Sequence, residues 1–260
     1  MNPFFEPGTQ RAAKVQALFA RVAPRYDLLN DLMSFGLHRR WKQRLVHMAA
    51  PLPAQRGLDV CCGTGDIALA FGRLGMEMVG LDFSQPMLEI ANRRRHREEQ
   101  TAARPPAQGE RPSFKPPQFL QGDAQQIPFP DQSFDIVTVG YGLRNLADWR
   151  VGLKEMARVA KPGGRLLVLD FGKPENPLWR GIYFGYLRLF VPLLGLVVSG
   201  SVSAYSYILE SLKHYPAQQG VASAMQELGL NEVRIVNFLG GVMTINYGRT
   251  MLNPKGSAAR

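Results

Sequence analysis

The stretch Leu58-Asp59-Val60-Cys61-Cys62-Gly63-Thr64-Gly65-Asp66 joins an apolar run to a tight glycine turn and sets a carboxylate on either side of the glycines. The spacing Gly63-x-Gly65-x-x-Ala68 formally fits a dinucleotide-binding loop, in which a helix N-terminus receives a pyrophosphate. The charges argue against that use, because Asp59 and Asp66 would repel phosphate. They suit a cofactor that carries an ammonium and a sulfonium, S-adenosylmethionine, and they disfavour NAD or FAD. Asp82, at the end of a second apolar run, can accept hydrogen bonds from both hydroxyls of a ribose. Asp123, in Gly122-Asp123-Ala124, is positioned for an adenine amino group. Taken singly, Asp66 is a charge at a helix start and Asp123 a turn residue. Together the carboxylates fall at the ends of three successive strands, the edge where open α/β sheets bind ligands.

Those strand ends need a scaffold that brings them together. Gly57 to Cys62 reads as a first strand, followed by a helix from Asp66 to Arg73. Met76 to Leu81 is a second strand, and Ser84 to Arg93 a helix with Ser84 as its N-cap. Phe119 to Gly122 makes a short third strand, and Phe134 to Gly140 a fourth, apolar enough to be central. Asp148 to Ala160 is a helix that Lys161-Pro162-Gly163-Gly164 stops, and Arg165 to Phe171 is the fifth strand. Pro216 to Leu228 is helical, and Glu232 to Phe238 pairs with Val242 to Tyr247 as a closing hairpin around Gly240-Gly241. This alternation predicts an α/β fold, a mostly parallel seven-stranded sheet with helices on both faces and an antiparallel closing hairpin. With its cofactor loop, the pattern is the one expected of a Rossmann-like class I S-adenosylmethionine-dependent methyltransferase. A helical segment over 1–50 is expected to cover the active site. The methyltransferase domain spans 51–250, and 251–260 is a tail. A helical, apolar block over 177–215 is expected to face substrate or membrane.

At 260 residues, 45% hydrophobic and 20% charged, the chain suits one folded domain with an added lobe. Cys61 and Cys62 lie adjacent in an apolar run, which suits reduced, buried residues in the cytoplasm better than a disulfide framework or metal site. Met1 to Arg11 lacks the layout of a secretory signal. The stretch Gly181 to Gly200 is interrupted by Arg188 and Pro192, so a spanning helix is not expected. A net charge of +10 raises nucleic acid or anionic lipid as partners. Much of it lies between Arg93 and Gln118, where Arg93, Arg94, Arg95, Arg97, Arg104, Arg111 and Lys115 outnumber Glu98, Glu99 and Glu110. That segment, 93–118, is poor in apolar residues and is expected to be a solvated, poorly ordered insertion.

Several blocks resemble the ubiquinone/menaquinone-biosynthesis C-methyltransferase family. Phe19 to Lys42, containing Tyr26-Asp27-Leu28-Leu29-Asn30 and His38-Arg39-Arg40-Trp41-Lys42, is similar to the family's first signature. Gly142-Leu143-Arg144-Asn145 followed by Asp148 resembles its second. Further matches are Lys161-Pro162-Gly163-Gly164, Asp170 to Pro174, Tyr205 to Ser211 and Gly240-Gly241-Val242. The resemblance covers about 15 to 250 and is broken after Asn92. It implies cofactor contacts at Thr64, Asp82, Asp123, Ala124 and Gly140, beside Asp59, Gly63 and Gly65 of the loop. The family often carries Ser where Gly140 stands.

Methyl transfer from a sulfonium needs no metal, but the acceptor must become nucleophilic. A quinol ring carbon does so when a neighbouring hydroxyl ionises, so the site must stabilise an oxyanion and align the reacting atoms. Arg144 is the candidate for the oxyanion contact, with a salt bridge to Asp148 as its structural alternative. Asn145 and Tyr141 are candidates to orient the ring, and His38 and His214 to act as base. The expected partners are a prenylated quinol, most simply a demethylmenaquinol, and transient contact with the inner membrane face through the block from Pro177. A ubiquinone or phylloquinone precursor is the alternative substrate, and a homodimer is left open. No nucleic acid is expected: an RNA methyltransferase calls for a base-stacking motif after the fourth strand, where this chain has Tyr141-Gly142-Leu143-Arg144-Asn145.

Overall fold

A computed structural model describes residues 9–102, 114–199 and 203–252. Apolar, β-branched runs form the centre of a seven-stranded sheet. Its strands are β1 (Arg56–Val60), β2 (Glu77–Asp82), β3 (Gln118–Gln121), β4 (Phe134–Gly140), β5 (Ala160–Phe171), β6 (Asn231–Phe238) and β7 (Met243–Arg249), in spatial order β3-β2-β1-β4-β5-β7-β6. All neighbours pair in parallel except β7, which runs antiparallel to β5 and β6. Phe134, Ile136, Val137 and Val139 of β4 are fully buried, as a central strand covered on both faces requires. Strand order reverses between β1 and β4, and the crevice at the carboxyl ends there is where such sheets bind ligands.

The helices are α1 (Thr9–Val22), α2 (Tyr26–Ser34), α3 (Leu37–Met48), α4 (Asp66–Gly72), α5 (Gln85–Ala102), α6 (Trp149–Val159), α7 (Pro177–Ser199), α8 (Ser203–His214) and α9 (Ala217–Glu227). Asp148 caps α6, its carboxylate accepting from the N–H groups of Arg150 at 2.8 Å and Val151 at 3.2 Å. Trp41, Leu45 and Val46 of α3 pack on Ile67, Phe71 and the face of the sheet that carries Ile136, Leu167 and Ile245. The other face carries Leu58, Val137 and Leu166 against Leu153, Met156, Val221 and Met225.

Three local expectations change. The helix after β2 continues past Arg93 to Ala102, so the first part of the segment expected to be poorly ordered is helical, while 103–113 lies outside the described residues. The extension needs no apolar face. It consists of good helix formers and is laced by Arg95–Glu99 at 3.4 Å and an Arg73–Glu98 pair. The fifth strand starts at Ala160 rather than Arg165, because Ala160 already pairs with Phe134 across an irregularity that absorbs Lys161 to Gly164. Ser84 stands at the start of α5, but its hydroxyl is buried without a partner among the described residues and caps nothing.

Candidate active site

Three adjoining cavities occupy the carboxyl ends of β1 to β5. The largest, about 840 Å³, lies over the turn after β1 and is lined by Gly63, Asp82, Phe83, Ser84, Met87, Gly122 to Gln125, Gly140 to Gly142 and Asn145 to Ala147. Helix α1 closes it with Val15, Gln16 and Phe19, and Gln16 Nε2 donates to the Phe83 carbonyl at 3.2 Å. Asp82 ties two of the turns together. Its Oδ2 accepts from the Gly63 N–H and its Oδ1 from the Ser84 N–H, both at 2.8 Å. Burial pushes its carboxyl pKa up, against the pull of these N–H groups.

The turns after β1 and β4 abut. A Cβ on Gly142 would meet the Cys61 Cβ at 2.3 Å, so only glycine allows the approach. Cys61 at φ 52° and Tyr141 at φ 63° both take left-handed backbone that their side chains disfavour. The Tyr141 N–H bond to the Leu169 carbonyl, 2.7 Å long, holds that conformation.

A second cavity, about 560 Å³, lies between α1, α2 and the end of β5. Leu18, Val22, Leu29, Met33, Phe171 and Ile208 make it apolar, and Asn30 and Arg144 give it polar groups. A third, about 310 Å³, is polar and lies between α3 and the turn after β1, lined by Lys42, Asp59, Thr64, Asp66 and neighbours. Tyr26 and Tyr141 line all three. Burial pushes the pKa of both phenols up, so both are neutral near pH 7.

Arg144 is buried. Its Nη1 donates to Asp170 Oδ1 at 2.9 Å and to the Tyr141 carbonyl at 2.6 Å, and its guanidinium stands 4.7 Å from the centre of the Phe171 ring. Its ion-pair partner is therefore Asp170 and not Asp148, which is engaged in capping α6. Asn145 Nδ2 donates to the same Tyr141 carbonyl at 3.0 Å, and the residue lines the large cleft rather than the second cavity. Neither histidine lines any of the three cavities. His38 is buried against Asp31 at 2.8 Å, and His214 lies at the surface near Glu210.

Of the expected cofactor residues, Gly63, Asp82, Asp123, Ala124 and Gly140 line the large cleft, and Asp59 and Thr64 line the third cavity. Gly65 lines none of them. A Cβ there would meet Phe119 Cζ at 2.7 Å, so its role is backbone conformation and close packing. Asp59 is fully buried. Its Oδ1 accepts from Thr138 Oγ1 at 2.8 Å, its Oδ2 has no partner among the described residues, and burial pushes its pKa to about 7. Asp66 is not the bare negative charge expected: Lys42 and Arg94 each pair with one of its oxygens at 2.6 Å. Arg94 also pairs with Asp27 of α2 and donates to Thr64 Oγ1 at 3.1 Å. Asp59 Oδ2 is joined in the cavity walls by other unmet hydrogen-bonding groups, namely Ser84 Oγ, the Tyr141 hydroxyl and Asn145 Oδ1. Buried groups of this kind can be met by a polar ligand or by water. They fit a nucleoside with a zwitterionic tail.

The types and spacing of Tyr26, Asn30, Lys42 and the α1 residues carry no chemical signal in the sequence. The first three lie within the block from Phe19 to Lys42, where residue type alone did not tell a cavity wall from a helix surface.

The chain is similar in sequence and in fold to known proteins. A demethylmenaquinone methyltransferase from Desulfitobacterium hafniense is 40% identical over 246 residues, covering 93% of this chain and 92% of that one. A ubiquinone/menaquinone biosynthesis C-methyltransferase UbiE from Ectopseudomonas mendocina is 38% identical, covering 93% and 91%. Among solved structures, a methyltransferase dependent on S-adenosylmethionine from Aquifex aeolicus superposes with a TM-score of 0.55 at 17% identity, over 81% of this chain and 89% of that one. The [4+2]-cyclase SpnF superposes with a TM-score of 0.61 at 17% identity, over 95% and 98%. A cyclase on this fold means that the sheet alone does not specify methyl transfer. The sequence relationship carries more: residues 8–250 match the ubiE/COQ5 methyltransferase family, and this chain belongs to that family.

Proposed function

We propose that the protein methylates a ring carbon of a prenylated quinol with S-adenosylmethionine, most simply demethylmenaquinol to menaquinol. The observation that carries this reading is the second cavity, lined mainly by apolar side chains with Asn30 and Arg144 among them, which adjoins the cofactor cleft through Phe19, Tyr26 and Tyr141. A flat ring with two oxygens matches apolar walls and a few polar groups. The names of the relatives from Desulfitobacterium hafniense and Ectopseudomonas mendocina support the same chemistry, the first for a naphthoquinone and the second for both quinones. A benzoquinol remains the second reading.

The bound cofactor supplies an electrophilic methyl group. Gly63, Asp82, Asp123, Ala124 and Gly140 hold its nucleoside, and Asp59 and Thr64 line the space for its amino-acid end. Arg144 favours ionisation of the ring hydroxyl, since a cation beside an acid stabilises its charged form. The ionised hydroxyl's proton leaves to solvent; the ring carbon takes the methyl group as the sulfur–methyl bond breaks and S-adenosylhomocysteine is left, and the carbon's own proton then moves to the ring oxyanion, which restores the aromatic quinol. Tyr26 and Tyr141, neutral and rigidly held, keep ring and methyl group in line and exclude water.

A polyprenyl tail needs an apolar route from the bilayer. Tyr183, Leu187 and Val191 bury one side of α7, whereas Leu178, Ile182, Leu189 (74% exposed) and Leu193 stand on the other. Leu28 and Phe35 (76% exposed) continue the apolar surface at α2, which also lines the second cavity. Tyr186 joins the two helices by donating to the Met33 carbonyl at 2.8 Å. With Arg188 exposed among the apolar residues, this surface suits an anionic membrane interface. Among the described residues no helix is long and apolar enough to cross a membrane.

The test is transfer of labelled methyl from S-adenosylmethionine to reduced demethylmenaquinone in detergent, with transfer RNA as the competing acceptor. Label on the naphthoquinol ring carbon supports the reading. Label on oxygen or on RNA alone refutes it.

A further inference from the structure

The third cavity contains a cation whose position the fold does not require. Lys42 comes from α3, and its side chain is only 12% exposed. It reaches the turn after β1 and lies 5.8 Å from the centre of the Tyr141 ring. Holding Asp66 does not explain it, because Arg94 already pairs with the other oxygen of that carboxylate at 2.6 Å. An ammonium drawn this far from water loses hydration that one shared partner does not replace. In the wall of the same cavity, Asp59 offers a buried oxygen, Oδ2, with no partner among the described residues. The cavity thus pairs one cation with one carboxyl group, and five residues of its wall, Tyr26, Cys61, Gly63, Gly140 and Tyr141, also line the nucleoside cleft.

That is the complement of an α-amino acid attached to a nucleoside. The carboxylate of such a ligand cannot use the start of α4, where the side chain of Asp66 already stands. We propose that Lys42 binds the α-carboxylate of the cofactor's amino-acid end, so that α3 discriminates the intact cofactor from nucleosides that lack this end. The proposal rests on the assignment of the large cleft to S-adenosylmethionine. It adds that the N-terminal helices recognise the cofactor directly, in addition to covering it.

The test compares two ligands by calorimetry. S-adenosylhomocysteine carries the zwitterion, and 5′-methylthioadenosine keeps the nucleoside and sulfur but has a methyl group in its place. In Lys42→Met, S-adenosylhomocysteine binding is expected to weaken roughly tenfold to a hundredfold, the range for losing a hydrogen bond to a charged group. Methylthioadenosine binding stays within about twofold on the same principle, since it has no charged group to lose. Lys42→Arg recovers most of the discrimination. Asp66→Asn retains it, because Lys42 acts on the ligand and not through Asp66. Equal weakening of both ligands in Lys42→Met, or of neither, overturns the proposal. Failure of the wild-type protein to bind either ligand overturns the cofactor assignment itself.

Discussion

Burial changes the chemistry of one carboxyl group, that of Asp59. Burial raises its pKa from the ordinary 3.8 to about 7, against the Thr138 hydrogen bond and the charge of Lys42. Below pH 7 the carboxyl is therefore protonated in the free protein. A ligand ammonium beside it favours the ionised form, so binding expels a proton. Calorimetry of S-adenosylhomocysteine at pH 6, in buffers of different ionisation enthalpy, is expected to register proton release. The release shrinks at pH 8 and is lost in Asp59→Asn. Proton uptake would contradict the assignment. The same shift bears on stability. The folded pKa is raised, so this group's contribution is fully present below pH 3.8 and is lost as pH rises through about 7.

Arg144 requires a paired test, because it is both ion-pair partner and catalytic candidate. Arg144→Met leaves Asp170 as a buried carboxyl without its cation, which costs about 3–5 kcal/mol of stability. Arg144→Met with Asp170→Asn is expected to recover most of the thermal stability, to keep S-adenosylhomocysteine binding, and still to lack turnover. Turnover near wild type in the stable double variant would remove Arg144 from the chemistry. Both residues were visible in the sequence, and their pairing was not. Asp148, four positions along, is the nearer carboxylate in the chain, but it is committed to the backbone at the start of α6.

At the scale of elements, the prelude of α1 to α3 is fastened to the sheet by a few charged contacts. Arg94 of α5 meets Asp27 of α2, Asp66 of α4 and the Thr64 hydroxyl of the cofactor turn. Arg94→Gln is expected to speed hydrogen exchange across α2 and to weaken S-adenosylhomocysteine binding by roughly tenfold, the scale of one charge-assisted contact. Unchanged exchange in α2 would mean that apolar packing alone holds the prelude. Composition could not reveal this role. A run of arginines with few apolar neighbours has the same composition whether it is solvated or reaches across to three acceptors, and only the extension of α5 beyond Arg93 brings Arg94 into place. The strands were more legible, because alternation of apolar runs with glycine turns is a local signal. The start of β5 was not, since Ala160 joins the sheet through a partner far away in the chain.

At the scale of the molecule, the order of strands and helices could be read from the sequence because each βα unit repeats one physical pattern. The closing hairpin also stood out, since Gly240 and Gly241 both take positive φ where the chain reverses. The division of α7 into a packed and an exposed side was not visible in a stretch apolar all round. That division carries a prediction. Intact protein is expected to co-sediment with vesicles containing anionic lipid, and Phe35→Ser with Leu189→Ser to reduce this severalfold without loss of S-adenosylhomocysteine binding. Equal sedimentation of both proteins would exclude this face as the membrane contact.

Transfer of the methyl group to a quinol ring carbon is tested most directly by mass spectrometry of the quinones in cells lacking this protein. The predicted result is accumulation of a demethylmenaquinone, one methylene lighter than the normal quinone, with full recovery on restoring the wild-type chain. Recovery should fail with the Arg144→Met/Asp170→Asn chain. An unchanged quinone pool in the deletion strain would contradict the account.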